Sequence, residues 1–380
     1  MSIQFWNTSH TPIGIDVGTH RLRAIQLAGS PQSRRVIAAA SVVLPANLPL
    51  HGPQRVSGLS AILTQLLKQN SFRGREVVSC LPVTQMQYKN LRVPRMPDEE
   101  LATAVAWEAR DRLQLGNKQA CIQFFNAGEV RQGEELRQEV ILMAADESAV
   151  LEYVDVLQNC DLIPLVIEAL PCSLTRIASL SGSSDTAVSS SGVSAVEDDA
   201  VFVLDVGYSS TKVLMARQGR VLFFKVIEIG SSRFDQVVSQ KLNLSCGDAQ
   251  DLRHRLQLLS PGLSDSNDTA QYQAMEQALR PVFNELVAEI GLCLRYYSVT
   301  FRGRRPQRVF LAGGEAVQPL LTQVLREQAA LDPVPLAPLA TMDVTSIPSG
   351  LCATPFFSEW SVAAGLAFRP VTPALLKGVA

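Results

Sequence analysis

Two stretches of this chain carry residues whose types and spacing suit a phosphate and its metal ion. Ile13–Leu27 reads IGIDVGTHRLRAIQL, and Val201–Lys225 reads VFVLDVGYSSTKVLMARQGRVLFFK. In each, an aspartate stands two residues ahead of a glycine, Asp16 before Gly18 and Asp205 before Gly207. The glycines permit a tight bend and a close approach of backbone to ligand. Turn N–H groups, joined by the hydroxyls of Thr19 or of Ser209, Ser210 and Thr211, can donate to phosphate oxygens. Asp16 and Asp205 at the mouth are hard oxygen ligands suited to Mg²⁺, reached through water. Taken singly, either Asp-x-Gly is equally ordinary turn chemistry at a strand end.

The elements that must position these groups are legible around them. Each copy is an apolar run, a polar turn and a second apolar run, the pattern of a β-hairpin. Repetition in the two halves of the chain predicts two similar half-domains facing each other across a cleft. A third element, Val309–Ala316 (VFLAGGEA), is an apolar strand entering a Gly313-Gly314 turn ahead of a helix, with Glu315 beside it. Such a turn lets backbone lie against a flat ring or sugar, and a helix N-terminus beyond it favours anions.

Composition sets the limits. At 380 residues the chain has room for several subdomains. A net charge of −2 supplies no global field for nucleic acid. Seven scattered cysteines, with no Cys-x-x-Cys pair, fit neither a disulfide framework nor a zinc site and suit a reducing cytoplasm. The start has no secretory pattern, and no apolar segment approaches the ~20 residues of a membrane span. Any membrane link is therefore expected through a partner.

Along the chain, Arg35–Pro45 reads as a strand, Leu59 to about Asn70 as an amphipathic helix, and Glu76–Leu81 as a further strand. Between Leu91 and Val166 the pattern becomes αββα: a helix with Ala102, Val105, Ala106, Ala109 and Leu113 on its apolar face, then strands Ala120–Ala127 and Glu139–Ala145. A charged loop, GEVRQGEELRQ, joins the strands, and a helix follows with Val150, Leu151, Val154 and Leu157 on one side. Ser179–Asp199 is serine-rich and reads as a flexible boundary. Thr269–Phe301 is a long helix notched at Pro281, and Leu331–Phe356 is irregular. In Ser361–Pro370, small residues at Ala363, Ala364 and Gly365 permit a close approach of another backbone.

The ordered set of two hairpins and a Gly-Gly turn resembles the phosphate-1, phosphate-2 and adenosine motifs of the actin-like ATPase superfamily. An insertion at residues 91–166 is similar to subdomain 1C of the FtsA and PilM branch. Trp107-Glu108-Ala109, the EVILMAA strand and LVAEIGLCLRYYSVTF look like the family of the type IV pilus assembly protein PilM. The resemblance implies an α/β actin-like fold. It divides the chain into subdomain 1A at 11–90 and 167–180, 1C at 91–166 and a linker at 181–199. Subdomain 2A then takes 200–225 and 296–370, 2B takes 226–295, and 371–380 is a tail. It further implies ATP and Mg²⁺ as cofactors, with Gly230 opening 2B beside the phosphates. Arg23 stands where the family usually has a lysine. Gln250 and Arg253 occupy the places of a glutamate and a lysine that reach ribose and base, or else sit on a solvated helix face.

The partner implied is the cytoplasmic N-terminal segment of a PilN-type inner-membrane protein, gripped between 1A and 1C. Self-association is compatible with the family; nucleic-acid binding and a direct membrane span are not expected. The location implied is cytoplasmic, peripheral at the inner membrane. A sugar kinase would need a Gly-x-Asp substrate loop that is missing from the first half. A heat-shock chaperone would need a further peptide-binding domain, and an FtsA-like protein a basic amphipathic tail unlike PVTPALLKGVA. A scaffold that has lost nucleotide turnover is the stronger rival, because Arg23, Gln250 and Arg253 all depart from the family pattern. The expectation is ATP binding with slow or absent hydrolysis.

Overall fold

The computed structural model describes residues 10–30, 33–113, 119–182, 200–258, 266–351 and 355–371. The linker from residue 183 and the tail from residue 372 lie outside the described residues.

In chain order the elements begin with β1 (Ile13–Val17), β2 (Arg21–Ala28), β3 (Arg35–Val43), α1 (Pro53–Lys68) and β4 (Glu76–Cys80). Next come β5 (Gln87–Pro94), α2 (Asp98–Arg112), β6 (Ala120–Gln132), β7 (Glu135–Asp146), α3 (Glu147–Gln158), β8 (Ile163–Glu168) and α4 (Leu170–Gly182). The second half runs β9 (Val201–Val206), β10 (Thr211–Arg217), β11 (Arg220–Ile227), α5 (Ser231–Leu242), α6 (Cys246–Leu258) and α7 (Ser266–Phe301). It closes with β12 (Arg308–Gly313), α8 (Pro319–Ala329), β13 (Asp332–Pro335) and α9 (Ser361–Ala367).

Two five-stranded sheets share one topology, β3-β2-β1-β4-β8 in the first half and β11-β10-β9-β12-β13 in the second. In both, three antiparallel strands continue into two parallel ones. The central strands are apolar on both faces, as strands covered by helices must be; every β9 residue after Val201 is buried. The mixed α/β half-domains expected from the repeated hairpins are both present.

α9, although last in the chain, packs on β1, β2, β4 and α4 of the first half. A side chain at Gly14 would meet the Ala363 carbonyl at 2.2 Å, and one at Gly365 would meet the Ser173 carbonyl at 2.3 Å. Only glycine allows these two backbones to approach so closely.

The insertion differs from the αββα reading at both edges. Its three-stranded sheet, ordered β5-β7-β6, recruits β5 from the segment ahead of it. α3 packs on α1 and belongs with the first half, because Ala149, Tyr153, Val156 and Leu157 are its buried residues; Leu151 is exposed. The charged stretch expected as a loop is hairpin instead, turning only between Gln132 and Glu135, with Gly133 at φ +64°. Its polar side chains are tolerated there because much of that stretch is exposed. β13 lies within the stretch expected to be irregular; it is the sheet's last strand, where its two prolines cost no central ladder bond.

Candidate functional site

The two hairpin turns meet in a cleft between the half-domains, a cavity of about 280 Å³. In the first turn the Gly18 N–H donates to the Arg21 carbonyl at 2.9 Å, and in the second the Gly207 N–H donates to the Ser210 carbonyl at 3.1 Å. The turns touch: the Thr19 hydroxyl donates to Ser209 Oγ at 3.1 Å, and the rings of His20 and Tyr208 stack with centroids 4.3 Å apart. The same cleft is bordered by Asp16, Asp205, Arg23, Ser210, Gln250, Gly313, Gly314 and Glu315.

Hairpin register explains the charges. Asp16 on β1 lies opposite Arg23 on β2, and Asp205 on β9 lies opposite Lys212 on β10. Lys212 Nζ stands 3.4 Å from Asp205 Oδ2. Lys212 was not among the candidate residues, though its signal was present: each basic residue follows its aspartate by the same interval in both copies. Burial first, then the Asp205 carboxylate, pushes the Asp16 pKa up to about 6, against the lowering pull of Arg23 and Lys212. Burial, and next the arginines nearby, hold His20 and His254 below the ordinary histidine value.

β12 ends at the cleft because Gly313, at φ +86°, lies against β9; a side chain there would meet the Val206 carbonyl at 2.3 Å. Beyond it Gly314 faces open space, with no atom within 4 Å of where its side chain would be. The helix expected directly after this turn begins only at Pro319. Another helix end reaches the cleft instead: Gly230 caps α5, whose first residue, Ser231, borders the cavity. Ser231 and the histidines His20 and His254 are cleft residues that sequence reading did not single out.

Three expected residues take other positions. Thr211 is buried and donates from Oγ1 to the Ile229 carbonyl at 2.7 Å, so it holds the strand end. Gly230 stands behind the wall rather than in it. Arg253, expected to reach the base, is fully buried: it binds Glu315 at 2.6 and 2.8 Å and Asp235 at 2.9 Å. Its guanidinium ties α5, α6 and the Gly313-Gly314 turn into one body. Gln250, three residues earlier on α6, does face the cleft.

The donor set fits a triphosphate and its cation. Ser210 Oγ and Ser41 Oγ are buried without a hydrogen-bond partner, and both residues border the cavity. Asp16, Asp205, Lys212, Arg21, Arg23 and a serine-rich turn converge on one small space, and the first N–H groups of α5 brace that turn by donating to the Gly207 and Tyr208 carbonyls at 2.9 Å.

The family model described as type IV pilus assembly protein PilM matches residues 14–371. Among solved structures, the chain is similar to one described as the PilM–PilN type IV pilus biogenesis complex, at 23% identity and a TM-score of 0.73. The match covers 97% of this chain and 99% of that one. It is also similar to the ethanolamine utilization protein EutJ from Carboxydothermus hydrogenoformans, at 11% identity and a TM-score of 0.53, over 94% of this chain and 89% of that one. No curated protein matches. The fold is that of the actin-like ATPases.

Proposed function

We propose a function from one premise: this chain belongs to the family of the type IV pilus assembly protein PilM, whose model spans nearly its whole length. It binds ATP–Mg²⁺ between its half-domains and grips the cytoplasmic N-terminal segment of a PilN-type inner-membrane protein. The observation that carries the nucleotide reading is convergence: both Asp-x-Gly turns and the Gly313-Gly314 turn border one cleft. ATP–Mg²⁺ would supply concentrated negative charge and a cation. Asp16 and Asp205 would hold the cation through water, the turn N–H groups and Ser210 the phosphates, and Arg23 and Lys212 would neutralise them. Gln250 and the Gly313–Glu315 turn fall to the sugar and base.

The cavity sits at the lower edge of ligand-pocket sizes, which start near ~300 Å³, and the two turns already touch. The half-domains therefore separate to admit nucleotide and close around it. Arg23, Gln250 and Arg253 depart from the family pattern, and turnover is slow or absent on this reading. The partner reading rests on a second cavity of about 700 Å³ at the junction of the insertion with both halves. Tyr88 and Asn90 line it from β5, an edge strand of its sheet, and Tyr88 Oη and Asn90 Oδ1 are buried without partners. An edge strand with unpaired polar groups suits an extended peptide. PilN appears by name in the similar solved complex.

One observation favours a nucleotide-independent scaffold: Lys212 is already paired with Asp205, and Arg253 is withdrawn from the cleft. Calorimetry separates the two. Asp16→Ala and Asp205→Ala should each weaken ATP–Mg²⁺ binding by about 1–3 kcal/mol, the range for hydrogen bonds to charged groups. ATP affinity unchanged in both variants, or no ATP binding by the unaltered protein, leaves the scaffold.

A further inference from the structure

The last turns of α7 bury Leu294 and Tyr297 in the core of the second half-domain, and their outer face has an unusual make-up. Leu292 is 50% exposed and Val299 70% exposed, one of the most open apolar side chains described. Arg295 lies between them at helical spacing, so Leu292, Arg295 and Val299 share one face. Arg302 and Arg304 follow just beyond the helix, and all three arginines are exposed.

The charge of this region is one-sided. Between Glu289 and Glu315 the chain has five arginines and no acidic residue, within a protein whose net charge is −2. Neighbouring acids are engaged elsewhere: Glu289 with Lys225 at 2.9 Å, Glu285 with Arg233 at 2.7 Å, and Asp332 with Arg326 at 3.6 Å. Arg305 is turned inward to the Ala329 carbonyl. Arg308 opens β12 and has a partner, which leaves Arg295, Arg302 and Arg304 exposed near two exposed aliphatic side chains.

We propose that this face of α7 and the loop after it docks on an anionic lipid surface. Charge complementarity selects the occupant. Guanidinium groups bind phosphate oxygens in pairs, and aliphatic residues interleaved with basic ones suit the boundary between headgroups and acyl chains. Nucleic acid would use the arginines but leave Leu292 and Val299 without a role. No helix among the described residues is long and apolar enough to cross a membrane, so the contact is peripheral. It is weak and salt-sensitive, because exposed charges are screened within ~10 Å at 0.1 M salt. The inference stands apart from the nucleotide cleft.

The test is co-sedimentation of the full chain with vesicles of phosphatidylcholine and phosphatidylglycerol, against phosphatidylcholine alone. Binding should require the anionic lipid and fall as salt rises. Arg295→Gln, Arg302→Gln and Arg304→Gln combined should lower the partition coefficient on the order of 100-fold, at roughly fivefold per basic residue near an anionic surface. Val299→Ser should lower it further. Changing exposed Arg73, Arg75 and Arg131 to glutamine should leave it unaltered. Failure of the unaltered chain to sediment overturns the proposal. So does equal loss in the control variant, unchanged binding by the triple variant, or tighter binding to a DNA or RNA oligomer than to the vesicles.

Discussion

The two half-domains share one sheet topology and one hairpin, yet their aspartates live in different electrostatic surroundings. Asp205 faces Lys212 at 3.4 Å as an ion pair. Asp16 faces Arg23 in register, but its carboxyl is held up at about 6, with burial the main cause. The second turn is rich in hydroxyls and backed by the capped N-terminus of α5; the first is flanked by Arg21, Arg23 and His20. The accessory parts divide likewise. The second half adds α5, α6 and the Gly313-Gly314 turn, which border the cleft, and the first adds the sheet of β5, β6 and β7. One duplicated frame has thus been specialised by what is hung on each copy.

The strongest way to break that contrast is to remove what stiffens the second half. Arg253→Met leaves Asp235 and Glu315 buried without their cation. Breaking such a pair should cost about 3–5 kcal/mol, read as a lower urea midpoint. An unchanged midpoint would mean the triad is dispensable.

A sharper probe exploits the two aspartates, whose amides should act with opposite sign. The folded pKa of Asp16 lies above its ordinary value of 3.8. Its ionised form therefore destabilises the nucleotide-free fold fully above pH ~6, less as pH falls through 6, and not at all below about 4. Asp16→Asn should stabilise the protein at pH 8 by roughly 2–3 kcal/mol, with the gain fading toward pH 4. Asp205→Asn should destabilise it by about 1–3 kcal/mol, since Lys212 loses its partner. Thermal melts from pH 4 to 8 check both, and two shifts of the same sign would erase the distinction. Under the proposed role of Asp16 in holding the cation, ATP–Mg²⁺ affinity should also decline below pH 6.

The smallest effect concerns the other accessory part. Tyr88→Phe removes one unpartnered hydroxyl from the groove beside β5. It should weaken capture of a PilN-type N-terminal peptide by about 0.5–1.5 kcal/mol, the net value of one hydrogen bond, and leave ATP affinity alone. Fluorescence anisotropy with labelled peptide measures the first and calorimetry the second. Unchanged peptide affinity would move the partner site away from Tyr88.

What could be read in advance follows from how local each signal is. Both hairpins were legible, since alternating apolar runs around Asp-x-Gly act over a few residues. The small side chains at Ala363–Gly365 announced a close approach of backbones. Arg253 was misplaced, because a helical arginine gives no sign that a glutamate 62 residues later will bind it. Lys212 was overlooked while its counterpart Arg23 was named; only pairing the register of both hairpins reveals their equivalence. The limits of the insertion were blurred because β5 reads alike whether it joins one sheet or the other.

The place of α9 bears on how this protein is made. β1 leaves the ribosome long before the helix that seats against it at Gly14, which is residues 361–367. The first sheet thus waits for the whole second half-domain to be made before α9 can cover one of its faces. Pairings of such separation make folding slow and leave apolar surface open to aggregation in the meantime. A nascent chain halted anywhere before residue 361 should therefore depend on chaperones even though its amino-terminal strands are complete.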